Sequence, residues 1–83
     1  MWYYTGMSRD DKIIRKMRES PQNVRFEELD GFLKRQGFKG TQRGSHVQYR
    51  REDGMRFSIV RPHGTKKTVN QNAIREVLER LEL

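Results

Sequence analysis

The chain has 83 residues, no cysteine and a net charge of +7, with 18 Lys and Arg against 11 Asp and Glu. A chain of this length builds only a small hydrophobic core, so we expect any active site on an open surface rather than in a deep cavity. The lack of cysteine excludes disulfides, zinc–thiolate sites and thiol nucleophiles, and it fits a reducing compartment.

The sequence contains no feature of a membrane or secreted protein. No apolar run approaches the roughly 20 residues that a membrane-spanning helix needs. Residues 1–6 lack the charged and apolar regions of a secretory signal, so we expect a cytoplasmic protein. Residues 1–7, which include the aromatic run Trp2-Tyr3-Tyr4, are interpreted as an N-terminal extension of unknown role, and residues 8–83 as a single domain.

Three helices are predicted. Ser8 fits the N-cap of the first helix, because acidic residues follow in its first turn, and Pro21 ends it. The second helix covers 26–36, where apolar residues recur on one helical face, and Gly37 fits the position after its end. The same periodicity predicts the third helix over 70–81.

Three strands are predicted between the second and third helices, over 38–43, 46–51 and 55–61. The order helix, helix, three strands, helix predicts an α+β fold in which a three-stranded antiparallel sheet has its helices on one face.

The hairpin between the second and third strands has a predictable register. A three-residue loop with Gly54 in the left-handed conformation pairs Tyr49 with Phe57 and Val47 with Ile59, whereas a two-residue loop would pair core positions with solvent positions.

This register leaves a polar and cationic set of side chains on the uncovered face: His46, Gln48, Arg50, Arg56 and Ser58. Arg50 and Arg56 lie directly across from each other, where like charges repel. Either the two side chains splay into water or a phosphate bridges them. An anionic partner is favoured, because residues 38–67 carry 8 basic and 2 acidic side chains.

His46 is the candidate catalytic residue. Histidine can take up and release a proton near cellular pH, and RNA carries its own nucleophile in the 2′-hydroxyl group. A base among cations such as Arg43, Arg50 and Arg56 therefore meets the needs of metal-free RNA cleavage. A surface histidine beside arginines is also an ordinary feature of proteins, so this interpretation stays open at this point.

Other chemistries fit the sequence less well. Two histidines without cysteines or convergent acids have no metal-ligand spacing, so no metal or cofactor is predicted. Ser45 is not expected to form a triad with His46, because adjacent strand residues point to opposite faces. His63 is interpreted either as an ordinary loop residue or as a secondary catalytic residue.

Several short motifs occur in the order found in one known family. They are Gly37-Phe38 after a helix, Gln42-Arg43-Gly44-Ser45-His46 leading into Val47-Gln48-Tyr49, the Glu52-Asp53-Gly54 hairpin, Phe57-Ser58-Ile59-Val60, the Pro62-His63 loop, and a last helix with Ile74-Arg75 and Val77-Leu78. With these motifs the stretch 26–81 resembles the HicA (YcfA-like) family of mRNA interferase toxins.

The resemblance implies a fold like that of the double-stranded-RNA-binding domain and a metal-independent endoribonuclease that cleaves mRNA. It also implies the toxin of a type II toxin–antitoxin system, with a HicB-like antitoxin as protein partner and His46 as the catalytic residue. The motif and the basic residues together give the predicted RNA contacts: Arg43, Gly44, Ser45, Gln48, Arg50, Arg56, Lys66 and Lys67.

Two alternatives remain open. The chain could be a non-catalytic RNA-binding module that uses the same basic face to hold a duplex by shape and phosphate contacts. It could also be a protein-interaction domain that docks an acidic partner. RNA binding does not separate the first alternative from a nuclease, whereas RNA cleavage in the presence of a chelator does.

Overall fold

A computed structural model describes residues 8–83, and the N-terminal extension 1–7 lies outside the described residues. The elements follow in the order α1 (Arg9–Glu19), α2 (Phe26–Arg35), β1 (Lys39–Arg43), β2 (His46–Arg50), β3 (Arg56–Val60) and α3 (Gln71–Arg80). A single 3₁₀ turn, Pro21–Asn23, separates α1 from α2. The predicted α+β fold is confirmed, and its element order is consistent with a double-stranded-RNA-binding-domain-like architecture.

The ends of α1 and α2 follow the predicted signals. Ser8 Oγ accepts the Asp11 N–H at 3.1 Å, and the Asp11 carboxylate accepts the Ser8 N–H at 3.2 Å. This reciprocal pair satisfies two backbone donors at the start of α1. Gly37 follows α2 with a φ of 95°, the left-handed conformation that glycine commonly adopts after a helix.

The strands form one antiparallel sheet in the order β1-β2-β3. Tyr49 pairs with Phe57, and Val47 pairs with Ile59, so the predicted register is confirmed. The three-residue loop is present as well, because Gly54 has a φ of 92° and the Arg51 N–H donates to the Met55 carbonyl at 3.0 Å.

The hydrophobic core lies between the sheet and the helices. Buried residues alternate with exposed ones along β2 and β3, so one face of these strands is covered and the other faces solvent. α1 packs against both α2 and α3. The largest fully buried side chains come from the helices, the sheet and the loop before α2: Tyr49, Phe32, Met17, Leu29, Leu33, Ile59, Ile74, Val24 and Val77.

β1 differs from its neighbours because all five of its residues are exposed. Gly40 pairs with Tyr49 and therefore lies on the helix side of the sheet. A Cβ atom on Gly40 would lie only 3.0 Å from Tyr49 Cε1. The Tyr49 ring thus occupies the space beneath β1, and β1 supplies no side chain to the core.

The outer edge of β3 is partly closed by α3. Arg80 Nη1 donates to the Arg56 carbonyl at 2.7 Å, and the Arg80 guanidinium lies 5.0 Å from the centre of the Phe57 ring. None of the helices within residues 8–83 is long and apolar enough to cross a membrane.

Candidate active site on the open face of the sheet

The uncovered side of the sheet, called the open face, consists of three rows that each take one residue from every strand. The arginine row is Lys39, Arg50 and Arg56; the middle row is Thr41, Gln48 and Ser58; the histidine row is Arg43, His46 and Val60. All nine residues are exposed. The open face therefore contains every strand residue that the sequence placed in the candidate site.

His46 begins β2 directly after the tight turn Gly44-Ser45. Gly44 has a φ of 59°, which residues with side chains rarely adopt, so glycine permits a two-residue turn here. The resulting pairing places Arg43 directly across from His46, where paired Cβ atoms are about 5 Å apart. The side chains of Arg43 and His46 are therefore neighbours on the open face.

Ser45 has an orientation that the sequence did not predict. Its Oγ lies 3.5 Å from His46 Nδ1, at the long limit of a hydrogen bond. The expectation that the two side chains point to opposite faces is wrong, because Ser45 belongs to the turn and not to the strand. Within residues 8–83 no carboxylate is within ion-pair distance of His46, so the arrangement is a pair and not a triad.

The arginine row lies at the other end of the open face from His46. Lys39 pairs with Arg50, and Arg50 with Arg56, so three cations are adjacent. None of the ion pairs in the described part of the chain involves them. Arg50 is four residues from His46 along β2, a separation of about 13 Å at the usual rise per strand residue. Arg50 and Arg56 therefore do not surround His46, and the prediction that they do so is wrong.

Lys39 is a member of this row that the sequence analysis missed. The signal was present, because a two-residue turn at Gly44-Ser45 fixes the pairing of β1 with β2. Counting back from that turn places Lys39 opposite Arg50.

The remaining predicted residues lie in the loop between β3 and α3. His63 and Lys66 are exposed and line a groove together with Val60 of the histidine row. Lys66 and Lys67 line a second groove together with Phe26, at the start of α2, and Arg61, which follows β3. Lys66 thus lies next to the histidine row, whereas Lys67 lies toward the helix side of the sheet.

Tyr49 packs against the sheet on its helix side. Its hydroxyl group donates to Asp30 Oδ1 at 2.7 Å. Burial and the neighbouring Asp30 carboxylate raise the pKa of Tyr49 far above its usual range. The phenol is therefore neutral across the physiological pH range and serves as a hydrogen-bond donor in the core.

Residues 8–83 contain no group of three His, Cys, Asp or Glu side chains that could hold a metal ion.

Fold and open face together define a class of protein: a small basic α+β domain with an exposed histidine–arginine pair and a separate cationic row. The family model described as the HicA toxin of bacterial toxin–antitoxin systems matches residues 26–83. The chain therefore belongs to the HicA toxin family, which assigns it to the toxin side of a toxin–antitoxin pair. Comparison with the curated proteins and with the solved structures finds no match to the chain. The matched segment includes the whole open face, whereas α1 precedes it.

Proposed function

We propose that the chain is a metal-independent endoribonuclease that cleaves mRNA, with His46 as its one catalytic residue. The observation that carries this proposal is the position of His46. It is exposed on the open face, directly across from Arg43, and within the segment that matches the HicA toxin family.

The proposed reaction is a transesterification at one phosphodiester bond of the RNA. His46 accepts the proton of a ribose 2′-hydroxyl group, and the 2′-oxygen attacks the adjacent phosphorus. A bond forms between the 2′-oxygen and phosphorus, and the bond from phosphorus to the 5′-oxygen of the next nucleotide breaks. The 5′-oxygen takes a proton from water, and His46 returns its proton to the solvent. The products are a 2′,3′-cyclic phosphate and a 5′-hydroxyl group.

The cations have separate parts in this proposal. Arg43, beside His46, stabilises the negative charge that develops on the reacting phosphate. Arg50, Arg56 and Lys39 bind a phosphate farther along the RNA, because they lie about 13 Å from His46 along the strand. Lys66 extends the cationic surface beyond the histidine row. Gly44, Ser45 and Gln48 complete the proposed RNA contacts near the open face, and Lys67 would contact RNA that continues around the loop between β3 and α3.

Cleavage of a defined RNA in the presence of a chelator tests the proposal. We expect wild-type protein to cleave and His46→Ala to lose on the order of 10²–10⁴-fold in rate, the usual contribution of general acid–base catalysis. Both proteins should bind RNA equally. An RNA with a 2′-deoxy sugar at the cleaved position should stay intact, because it lacks the nucleophile. His63→Ala decides between the two interpretations of His63 and should retain cleavage if His46 is the one catalytic residue.

Cleavage by His46→Ala at the wild-type rate would contradict the assignment of His46. A wild-type protein that binds RNA but leaves it intact, with or without divalent cations, would instead support the non-catalytic RNA-binding module. The arginine row favours that second candidate function, because it could hold RNA without any contribution from His46.

The protein partner is proposed to be an acidic HicB-like antitoxin that covers His46. A net charge of +7 favours a partner of opposite charge, since complementary surfaces accelerate association. In the complex, His46 should be protected from modification by diethyl pyrocarbonate. Equal reactivity of His46 in the free and bound toxin would contradict this arrangement.

A further inference from the structure

The turn that precedes His46 accepts two hydrogen bonds, one from the Gln42 side chain and one from the backbone of Arg61. Gln42 Nε2 donates to the Gly44 carbonyl at 2.6 Å. The Arg61 N–H donates to the Ser45 carbonyl at 2.7 Å. The carbonyls of both turn residues are therefore fixed.

Arg61 also fixes Gln42. Its Nη1 donates to Gln42 Oε1 at 3.0 Å, so the Gln42 amide accepts from Arg61 at one end and donates to the turn at the other. The Arg61 guanidinium lies 4.8 Å from the centre of the Phe26 ring, and Phe26 is a buried residue at the start of α2. These contacts thus connect the buried Phe26 ring, through Arg61 and Gln42, to the turn before His46.

Neither side chain belongs to the open face. Gln42 pairs with the buried Val47, so its side chain points to the helix side, opposite His46. The Arg61 guanidinium lies on that same side, because it contacts both Gln42 and Phe26. An RNA bound to the open face would therefore reach His46 without touching the Gln42 side chain.

We propose that Gln42 and Arg61 are positioning residues for His46, which hold the Gly44-Ser45 turn and thereby set the direction of the imidazole on the open face. This inference rests on the proposed function. His46 is the first residue of β2, so its backbone orientation depends on the turn before it. A displacement of about 1 Å at a catalytic group can cost on the order of 100-fold in rate.

Gln42→Glu is the decisive variant, because it removes the hydrogen bond to the turn and keeps the contact with Arg61. The carboxylate still accepts from Arg61, but it cannot donate to the Gly44 carbonyl, and two acceptors then face each other. We expect kcat for RNA cleavage to fall roughly ten- to 100-fold, while KM and the melting temperature stay at the values of the control. A purely structural role would lower the melting temperature and leave kcat per folded molecule unchanged.

Gln22→Glu is the matched control, since it introduces the same charge at an exposed position in the 3₁₀ turn. Amide and imidazole NMR signals of His46 give a readout that does not need activity. They should shift in Gln42→Glu and not in Gln22→Glu. Unchanged His46 signals, or a kcat equal to that of the control, would overturn the inference.

Failure of this inference is distinguishable from failure of the proposed function when His46→Ala is assayed in parallel. An inactive His46→Ala beside a fully active Gln42→Glu overturns only the positioning role. A fully active His46→Ala overturns the nuclease assignment of His46 and the positioning inference with it.

Discussion

The two faces of the sheet differ although they are built from neighbouring residues of the same strands. The covered face of β2 and β3 consists of apolar and aromatic side chains that are almost fully buried, whereas the open face is exposed and, apart from Val60, polar or cationic. Each step along a strand changes the side of the sheet. A protein too small for a deep pocket can therefore keep its core and its candidate site on one set of strands, with substitutions on the two faces affecting different properties.

The largest effect on stability is expected on the covered face. Ile59 is 2% exposed and pairs with Val47. Ile59→Ala should lower the free energy of unfolding by about 2–5 kcal/mol, because it removes buried methyl groups and leaves a cavity. Urea unfolding measures this change. Ser58→Ala, one residue away on the open face, is the control, and an equal loss there would show that the two faces do not differ in their contribution to stability.

A smaller effect is expected where the covered face makes its polar contact. Tyr49→Phe removes the hydroxyl donor to Asp30 but keeps the ring beneath β1. The free energy of unfolding should fall by about 1.5–3 kcal/mol, the usual contribution of a hydrogen bond to a charged group. Urea unfolding at neutral pH measures it. A loss as large as that of Ile59→Ala would mean that packing of the ring was disturbed as well.

Tyr49 also predicts an alkaline dependence of stability. Its folded-state pKa is raised above the ordinary value of 10.0, chiefly by burial and then by Asp30. The folded protein therefore holds this proton more tightly than the unfolded chain. The contribution of Tyr49 to the free energy of unfolding should be complete below pH 10 and should decrease as the pH rises above it. Tyr49→Phe should show a shallower fall in unfolding titrations above pH 10, and identical slopes would contradict the prediction.

The smallest effect on stability is expected on the open face, in the arginine row. Arg50→Ala should leave the melting temperature equal to or slightly above that of the wild type, because it removes like-charge repulsion from Arg56 and Lys39. RNA binding should weaken. The slope of the logarithm of the binding constant against the logarithm of the salt concentration should decrease by the equivalent of about one phosphate contact. Arg75→Ala, an exposed position on α3, should leave the slope unchanged. An unchanged slope in Arg50→Ala would remove Arg50 from the RNA contact surface.

Most of the fold could be predicted from local signals in the sequence. The caps at Ser8 and Gly37 and the apolar periodicity located the helices, because these signals depend on residues only a few positions apart. The Glu52-Asp53-Gly54 loop defined the β2–β3 register for the same reason. The composition of the open face then followed from alternation along the strands.

The details of the candidate site were less accessible to sequence reasoning. The contact between Gln42 and Arg61 joins residues 19 positions apart, and no periodicity encodes such a pairing. Ser45 was assigned a strand direction although it lies in the turn, where alternation does not apply. The separation of His46 from Arg50 could have been predicted, because four residues along a strand span about 13 Å, but the prediction considered only the face that these residues share.

The contact of Arg80 with β3 has a consequence for self-association. An edge strand with free carbonyl and N–H groups invites another chain to add a strand. At β3 an incoming chain would have to displace the Arg80 guanidinium from the Arg56 carbonyl and from the Phe57 ring. The charged side chain of Arg80 thus opposes the addition of a strand from another molecule at this edge of the sheet. Growth into fibrils by strand addition is therefore disfavoured there.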